Sequence, residues 1–166
     1  MTEERCRQLN RRVNGDPALK SAVLFVNRWS AWPVAAIYLA GLVLEWVGGD
    51  RREVLLLILL PAAAFALTTL LRRLIRKPRP YQAVDIEPAT AGRSESYAFP
   101  SRHVTSAFAI GSSLIALAHP VLGGVVLALG VLIASARVLG GAHDEADVAA
   151  GAVIGIICGL LVYWIR

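Results

Sequence analysis

The sequence predicts an all-α fold, an integral membrane helical bundle of about five transmembrane helices plus an N-terminal interfacial helix. Hydrophobic residues make up 56% of the 166 residues, and the mean hydropathy of +0.57 is above what a soluble domain carries. The apolar residues fall into runs close to the length that crosses a bilayer. The charged residues gather at the ends of those runs. The net charge of +5 comes from basic residues with little aromatic interleaving, which excludes a nucleic-acid partner and favours anionic lipid. Cys6 and Cys158 are far apart in sequence and in expected depth, so two free thiols are expected.

Taken in order, residues 1–30 form a polar, amphipathic N-terminal segment, with Arg5, Arg7, Arg11 and Arg12 against Glu3 and Glu4. No cleavable signal pattern is expected, because the first twenty residues are polar. Asp16-Pro17 reads as a helix start. The short apolar run behind it is interrupted by Asn27 and Arg28, so it is expected to lie in the interface, with Trp29 and Trp32 at headgroup level. Five spans follow, roughly Ala31 to Val47, Val54 to Leu71, His103 to Ala118, Val121 to Ala136 and Asp147 to Ile165. Pro33 and Pro61 lie inside two of them, which membrane helices tolerate when neighbours satisfy the freed backbone groups. Short connections make spans one and two, and three and four, hairpin neighbours. Gly151 and Gly155 permit close packing, inside the bundle or, alternatively, across a homodimer.

Threading these spans through a bilayer brings four helix ends to one surface. They carry Arg72 and Arg79, then Ser101, Arg102 and His103, then Arg137, then His143 and Asp147. Asp147 lies four positions after His143, so on a helix its carboxylate can accept a hydrogen bond from one ring nitrogen and leave the other free. Arginine at a membrane boundary presents a planar fork suited to phosphate oxygens. The pattern predicts an anion site at a membrane surface.

These residues fall into three ordered blocks, Arg72-x6-Arg79-Pro80, Pro100-Ser101-Arg102-His103 and Arg137-x5-His143-x3-Asp147. In this the chain resembles the type 2 phosphatidic acid phosphatase family of membrane lipid phosphatases, over about Leu70 to Gly151. The family signature reads Lys-x6-Arg-Pro, Pro-Ser-Gly-His and Ser-Arg-x5-His-x3-Asp. This chain departs from it with Arg72 for Lys, Arg102 for Gly and Ala136 for Ser. The resemblance implies one membrane phosphatase domain over residues 1–166, with 72–102 as the active-site loop region and neither a metal nor another cofactor. His143 would be the nucleophile that forms a phosphohistidine, Asp147 its orienting carboxylate, and His103 the general acid and later base. Arg72, Arg79, Arg137 and Ser101 would hold the phosphoryl oxygens. Arg102 is expected to be a further phosphate ligand or headgroup reader, the alternative being snorkelling to lipid headgroups. The implied substrate is a membrane lipid phosphate monoester or diphosphate, such as a polyprenyl-linked phosphate, phosphatidylglycerol phosphate or phosphatidic acid.

The residues leave two other functions open. One is a non-catalytic protein that binds or transports anionic lipid or phosphate. The other is a metal-dependent hydrolase using His143, Asp144 and Asp147. The sequence further predicts Arg73, Arg76, Lys77 and Arg93 as a basic collar or topogenic charge, and Asp144 and Glu145 as a solvated acidic helix start. His119 is expected at the opposite surface as an interfacial or capping group, and Glu45 there beside Arg51 and Arg52. Residues 81–99, with Gly92, Ser94, Glu95 and Ser96, are expected to cover the site or admit the headgroup. Of the seventeen Lys and Arg, fourteen lie on the site's side and only Arg51, Arg52 and Arg166 opposite. The positive-inside rule therefore predicts a multi-pass protein of the cytoplasmic membrane with its site facing the cytoplasm.

Overall fold

The computed structural model describes residues 1–48, 50–84, 86–89 and 96–165. Arg93, Arg166, Gly92, Ser94 and Glu95 lie outside the described residues, and with them part of the expected covering loop. Nine helices occur among the described residues: α1 (Glu3–Gly15), α2 (Pro17–Trp29), α3 (Ala31–Gly48), α4 (Arg51–Ile75), α5 (Pro80–Ala83), α6 (Arg102–Ala116), α7 (Pro120–Leu139), α8 (Glu145–Leu160) and α9 (Val162–Ile165).

The five expected spans correspond to α3, α4, α6, α7 and α8 with α9, each within a few residues. Four stretches are long and apolar enough to cross a membrane, Pro17–Gly48, Arg51–Ala83, Pro120–Leu139 and Glu145–Ile165. The shorter α6 is the central helix and packs against α4, α7 and α8. Its buried face runs from Val104 and Ala107 to Leu114 and joins Leu57 of α4 and Val126 and Ile133 of α7 in one core. Leu39, Val43, Leu59, Val131 and Ile157 are exposed on the outer helices, as lipid-facing residues should be.

The second helix departs from expectation. Asp16 caps it as predicted, accepting from the backbone N–H groups of Ala18 and Leu19. It then runs into α3 through Ser30, whose backbone is itself right-handed helical, so that Pro17–Gly48 forms one long helical stretch. Asn27, which breaks the apolar run in sequence, donates to the carbonyl of Ala136 at 3.1 Å and ties α2 to the last turn of α7. The N-terminal amphipathic helix is α1, which packs on α2, α5 and α7 over a small core of Val13, Val23 and Ala89.

Two local solutions fix the bundle's register. Pro61, inside α4, has no N–H to give the carbonyl of Leu57 four residues back. The hydroxyl of Tyr38 on α3 donates to that carbonyl at 3.1 Å, so a neighbouring helix satisfies it. On α8, Gly151, Gly155 and Gly159 lie against the α6 backbone. A Cβ at these positions would sit 2.8, 2.6 and 2.7 Å from the carbonyl oxygens of Ser101, Thr105 and Ala109. The glycines expected to permit close packing do so within the protomer, and this surface is not left for a partner copy. Cys6 and Cys158 are both free thiols.

Candidate active site

The site is built where α4, α6, α7 and α8 end together. The α4 helix stops at Ile75, and Arg76 caps it in the left-handed region at φ 52°. This conformation is unusual for a residue with a Cβ, and it turns the chain before Pro78 and Pro80. Arg79 follows at the start of α5, and the backbone N–H of Tyr81 donates to the carbonyl of Gly141 at 3.2 Å. The first sequence block is thereby tied to the third. Ser101 occupies the N-cap position of α6, and its N–H donates to the carbonyl of Asp147 at 3.0 Å, tying the second block to the third. The Gly140-Gly141 turn, with Gly141 at φ 74°, reverses the chain after α7. The N–H of His143 then donates to the carbonyl of Arg137 at 3.2 Å.

His143 and Asp147 meet as the spacing predicts, but across a helix cap and not along a helix. His143 precedes α8, and Asp144 is the N-cap. Asp144 and Asp147 exchange reciprocal bonds, each backbone N–H donating to the other's carboxylate at 3.0 Å. Nδ1 of His143 lies 3.5 Å from Oδ2 of Asp147, close enough to pair electrostatically but without the hydrogen bond the spacing allows, and both side chains are buried. Burial pushes the His143 imidazole below its ordinary proton affinity, assisted by Arg79 and Arg137 and opposed by Asp147. His103 stands in the first turn of α6.

The arginines divide by what they touch. Arg72 is buried, and its Nη1 donates to the carbonyls of Ala98 and Pro100, both at 3.0 Å. Its Nη2 donates to Ser96 Oγ at 3.1 Å and to the Tyr97 carbonyl. That arrangement differs from the phosphate-facing role the resemblance implies, because the guanidinium grips the segment leading into α6. Arg79 donates to the Ser96 carbonyl and hydroxyl, both at 2.9 Å, and to Ala142 at 3.3 Å. Arg137 keeps Nε buried without a hydrogen-bond partner among the described residues, as does the hydroxyl oxygen of Ser101. Buried donors are normally paired. His143 Nδ1 is likewise buried without a hydrogen-bond partner among the described residues.

Arg102 lies over the ring of Phe65 at 5.6 Å. Together with His103 it lines an apolar cavity of about 410 Å³ whose walls include Val34, Tyr38, Phe65 and Ile110. The cavity runs from the site along α3, α4 and α6 into the depth of the bundle.

Three residues behave otherwise than their sequence context predicts. Lys77, expected in a basic collar or as topogenic charge, bridges Asp144 Oδ2 at 2.6 Å and Asp147 Oδ1 at 2.7 Å. Asp144, expected in a solvated acidic start, is buried. Glu45, expected beside Arg51 and Arg52, is buried and lies 2.7 Å from His119 Nε2, while Arg51 stacks on Trp46. Only the pairing of acid and base across a turn could have signalled Lys77. Its sequence neighbours Arg73 and Arg76 conceal it.

The sequence profile described as the PAP2 superfamily matches residues 53–166, which include all three blocks. The chain belongs to the PAP2 superfamily. It is 41% identical over 66 residues to the bacitracin transport permease protein BcrC of Bacillus licheniformis, an alignment covering 40% of this chain and 32% of that protein. The matched region is thus about a third of that relative's length. Among solved structures, the fold is similar to a transmembrane PAP2-type phosphatidylglycerolphosphate phosphatase of Bacillus subtilis, with a TM-score of 0.75, 20% identity and coverage of 98% of this chain and 83% of that one. It is also similar to LpxE of Aquifex aeolicus, with a TM-score of 0.72, 24% identity and coverage of 96% and 92%. At these identities the likeness is one of fold. It supports the multi-pass helical bundle as a membrane architecture.

Proposed function

We propose that this PAP2 superfamily chain is a membrane phosphatase that hydrolyses a lipid phosphate monoester or diphosphate through a phosphohistidine. The observation that supports the reading is the meeting of the three sequence blocks at one end of the bundle, where His103 and Arg102 line an apolar cavity and Arg137 Nε is buried without a partner among the described residues. A phosphoryl group would satisfy the buried donors, and the cavity would take the start of a lipid tail.

In the first step Nε2 of neutral His143 attacks phosphorus, and the bond from phosphorus to the lipid oxygen breaks. His103 gives its proton to the leaving oxygen. In the second step His103, now neutral, takes a proton from water as the water oxygen attacks phosphorus. The phosphorus–nitrogen bond breaks, releasing inorganic phosphate and free His143. Arg137, Arg79, Ser101 and the first-turn N–H groups of α6 stabilise charge on the phosphoryl oxygens. Arg72 acts through the Ser96–Pro100 segment, which it holds in place for Ser101 and His103. Arg102, next to the proton donor and at the cavity's mouth, meets the leaving-group side of the substrate.

The domain spans residues 1–166 and sits in the cytoplasmic membrane. The excess of basic residues on the site's side supports a cytoplasmic orientation. The test is phosphate release from a panel of polyprenyl and glycerolipid phosphates, with and without EDTA. Release that persists in EDTA and is lost in both His143→Ala and His103→Ala supports the reading. Bound phosphate without turnover would favour a binding or transport protein, and loss of activity in EDTA a metal-dependent hydrolase.

A further inference from the structure

Lys77 belongs to none of the recurring positions of the three blocks, yet it lies inside the first and pairs with the third. It lies between Arg72 and Arg79. Its ammonium is 5.8 Å from the centre of the Phe99 ring, which precedes Pro100-Ser101. It makes two short ion pairs, 2.6 Å to Asp144 Oδ2 and 2.7 Å to Asp147 Oδ1. Asp147 is fully buried, and its oxygens are used separately. Oδ1 accepts from Lys77, while Oδ2 accepts from the backbone N–H of Asp144 at 3.0 Å and faces His143 Nδ1.

We propose that Lys77 is a positioning residue for the His143–Asp147 pair: by clamping Asp147 Oδ1 it keeps the carboxylate ionised, aims Oδ2 at His143, and so fixes the ring proton on Nδ1 and the lone pair on Nε2. The physical reason is the distribution of charge. A buried carboxylate facing an imidazole competes with it for a proton, and a cation on the far oxygen weakens the carboxylate in that competition. The same cation lowers the proton affinity of the nearby ring. Asp144, the second anchor of Lys77, is itself locked to Asp147 by the reciprocal cap bonds, so the ammonium cannot swing away without breaking both contacts. The other charged groups around Asp147 are Arg79 and Arg72, with the amino group of Met1 3.5 Å from Asp144. None of the three forms an ion pair with Asp147 among the described residues.

The inference rests on the phosphatase reading only for its kinetic consequence, so the test has two arms. In the first, the His143 ring is titrated by NMR in detergent with ¹³C-labelled histidine, its signal identified by its loss in His143→Gln. Removing the ammonium in Lys77→Met raises the midpoint of His143 by about one pH unit, and Lys77→Arg, which keeps the charge, leaves it near wild type. In the second, the acid limb of phosphate release moves up by the same amount in Lys77→Met, so that activity falls about tenfold on the limb and far less at its alkaline end. A residue that only braces the fold would scale activity equally at every pH. An unmoved His143 titration in folded Lys77→Met, or a shift in Lys77→Arg as large as in Lys77→Met, overturns the proposal. If Lys77→Met does not fold, Lys77→Gln is titrated in its place. Failure of both neutral variants to fold, with Lys77→Arg folded, would assign Lys77 a structural role and also overturn it. Wild-type protein that releases no phosphate refutes the phosphatase reading and leaves the ring titration to decide the role of Lys77.

Discussion

Arg137 and His143 carry the sharpest consequences of the site, and for opposite reasons. Arg137 presents a buried Nε with no partner among the described residues, and an unpaired buried donor costs stability. Arg137→Ala should therefore lower kcat/KM by about 10²-fold to 10³-fold, the range for losing one oxyanion donor, while the melting temperature in detergent holds or rises. A variant that loses stability and activity together would make Arg137 a structural strut. For His143, burial holds the imidazole below its ordinary value of 6.5. Since a histidine nucleophile, the role proposed for His143, must be neutral, lowering that value extends activity toward acid, and the acid limb of kcat/KM should lie below pH 6.5. A limb at or above 6.5 would show that the ring is not desolvated as the geometry requires. At this scale the sequence was legible for His103, His143, Asp147 and Arg137, whose intervals declare them. It was not legible for Lys77, because a lysine between Arg73 and Arg79 looks like solvated charge until the left-handed turn at Arg76 is known. Nor does spacing reveal that Arg72 turns to the carbonyls of residues 97, 98 and 100.

The helices set the tolerances of that chemistry. The Gly151, Gly155 and Gly159 face of α8 brings Asp147 within reach of the α6 N-terminus, where Ser101 and His103 stand. A methyl at Gly155 would meet the Thr105 carbonyl at 2.6 Å, and main chain cannot move aside as a flexible side chain would. Gly155→Ala is expected to destabilise by about 1–3 kcal/mol and to lose activity by parting the two helices, measured as the melting shift alongside phosphate release. Between α3 and α4 the account makes a coupled prediction. Tyr38→Phe strands the Leu57 carbonyl left open by Pro61, at a cost of about 0.6–1.7 kcal/mol in a membrane. In a Pro61→Ala background, where the backbone can supply its own donor, the same change should cost markedly less. Equal costs in both backgrounds would mean that Tyr38 does not serve that carbonyl. The spans themselves were readable from apolar runs and breaker residues, to within a few positions. The continuation of α2 into α3 was not, because Asn27 and Arg28 look like interruptions until Asn27 is seen bonding α7. The Glu45–His119 pair was equally hidden, since it joins residues from helices that no local pattern relates.

Over the whole molecule, most of the Lys and Arg lie at the site's end of the bundle, against Arg51, Arg52 and Arg166 in the rest of the sequence, and the proposed orientation rests on that asymmetry. Single cysteines placed at Arg12 and at Arg51, in a background lacking Cys6 and Cys158, should be labelled by an impermeant maleimide from opposite sides of sealed vesicles. Arg12 should be reached from the cytoplasmic face. Labelling of Arg12 from outside would reverse the site's orientation. The bundle's purpose, on this account, is to bring His103 on α6 and His143 after α7 to the same phosphorus atom. A structure with vanadate bound tests this most directly. It should show vanadium bonded to Nε2 of His143, with the opposite apical oxygen within hydrogen-bond distance of His103 and the equatorial oxygens held by Arg79, Arg137 and Ser101. Vanadate bound away from His143, or bonded to it with His103 out of reach of the apical oxygen, would contradict the account.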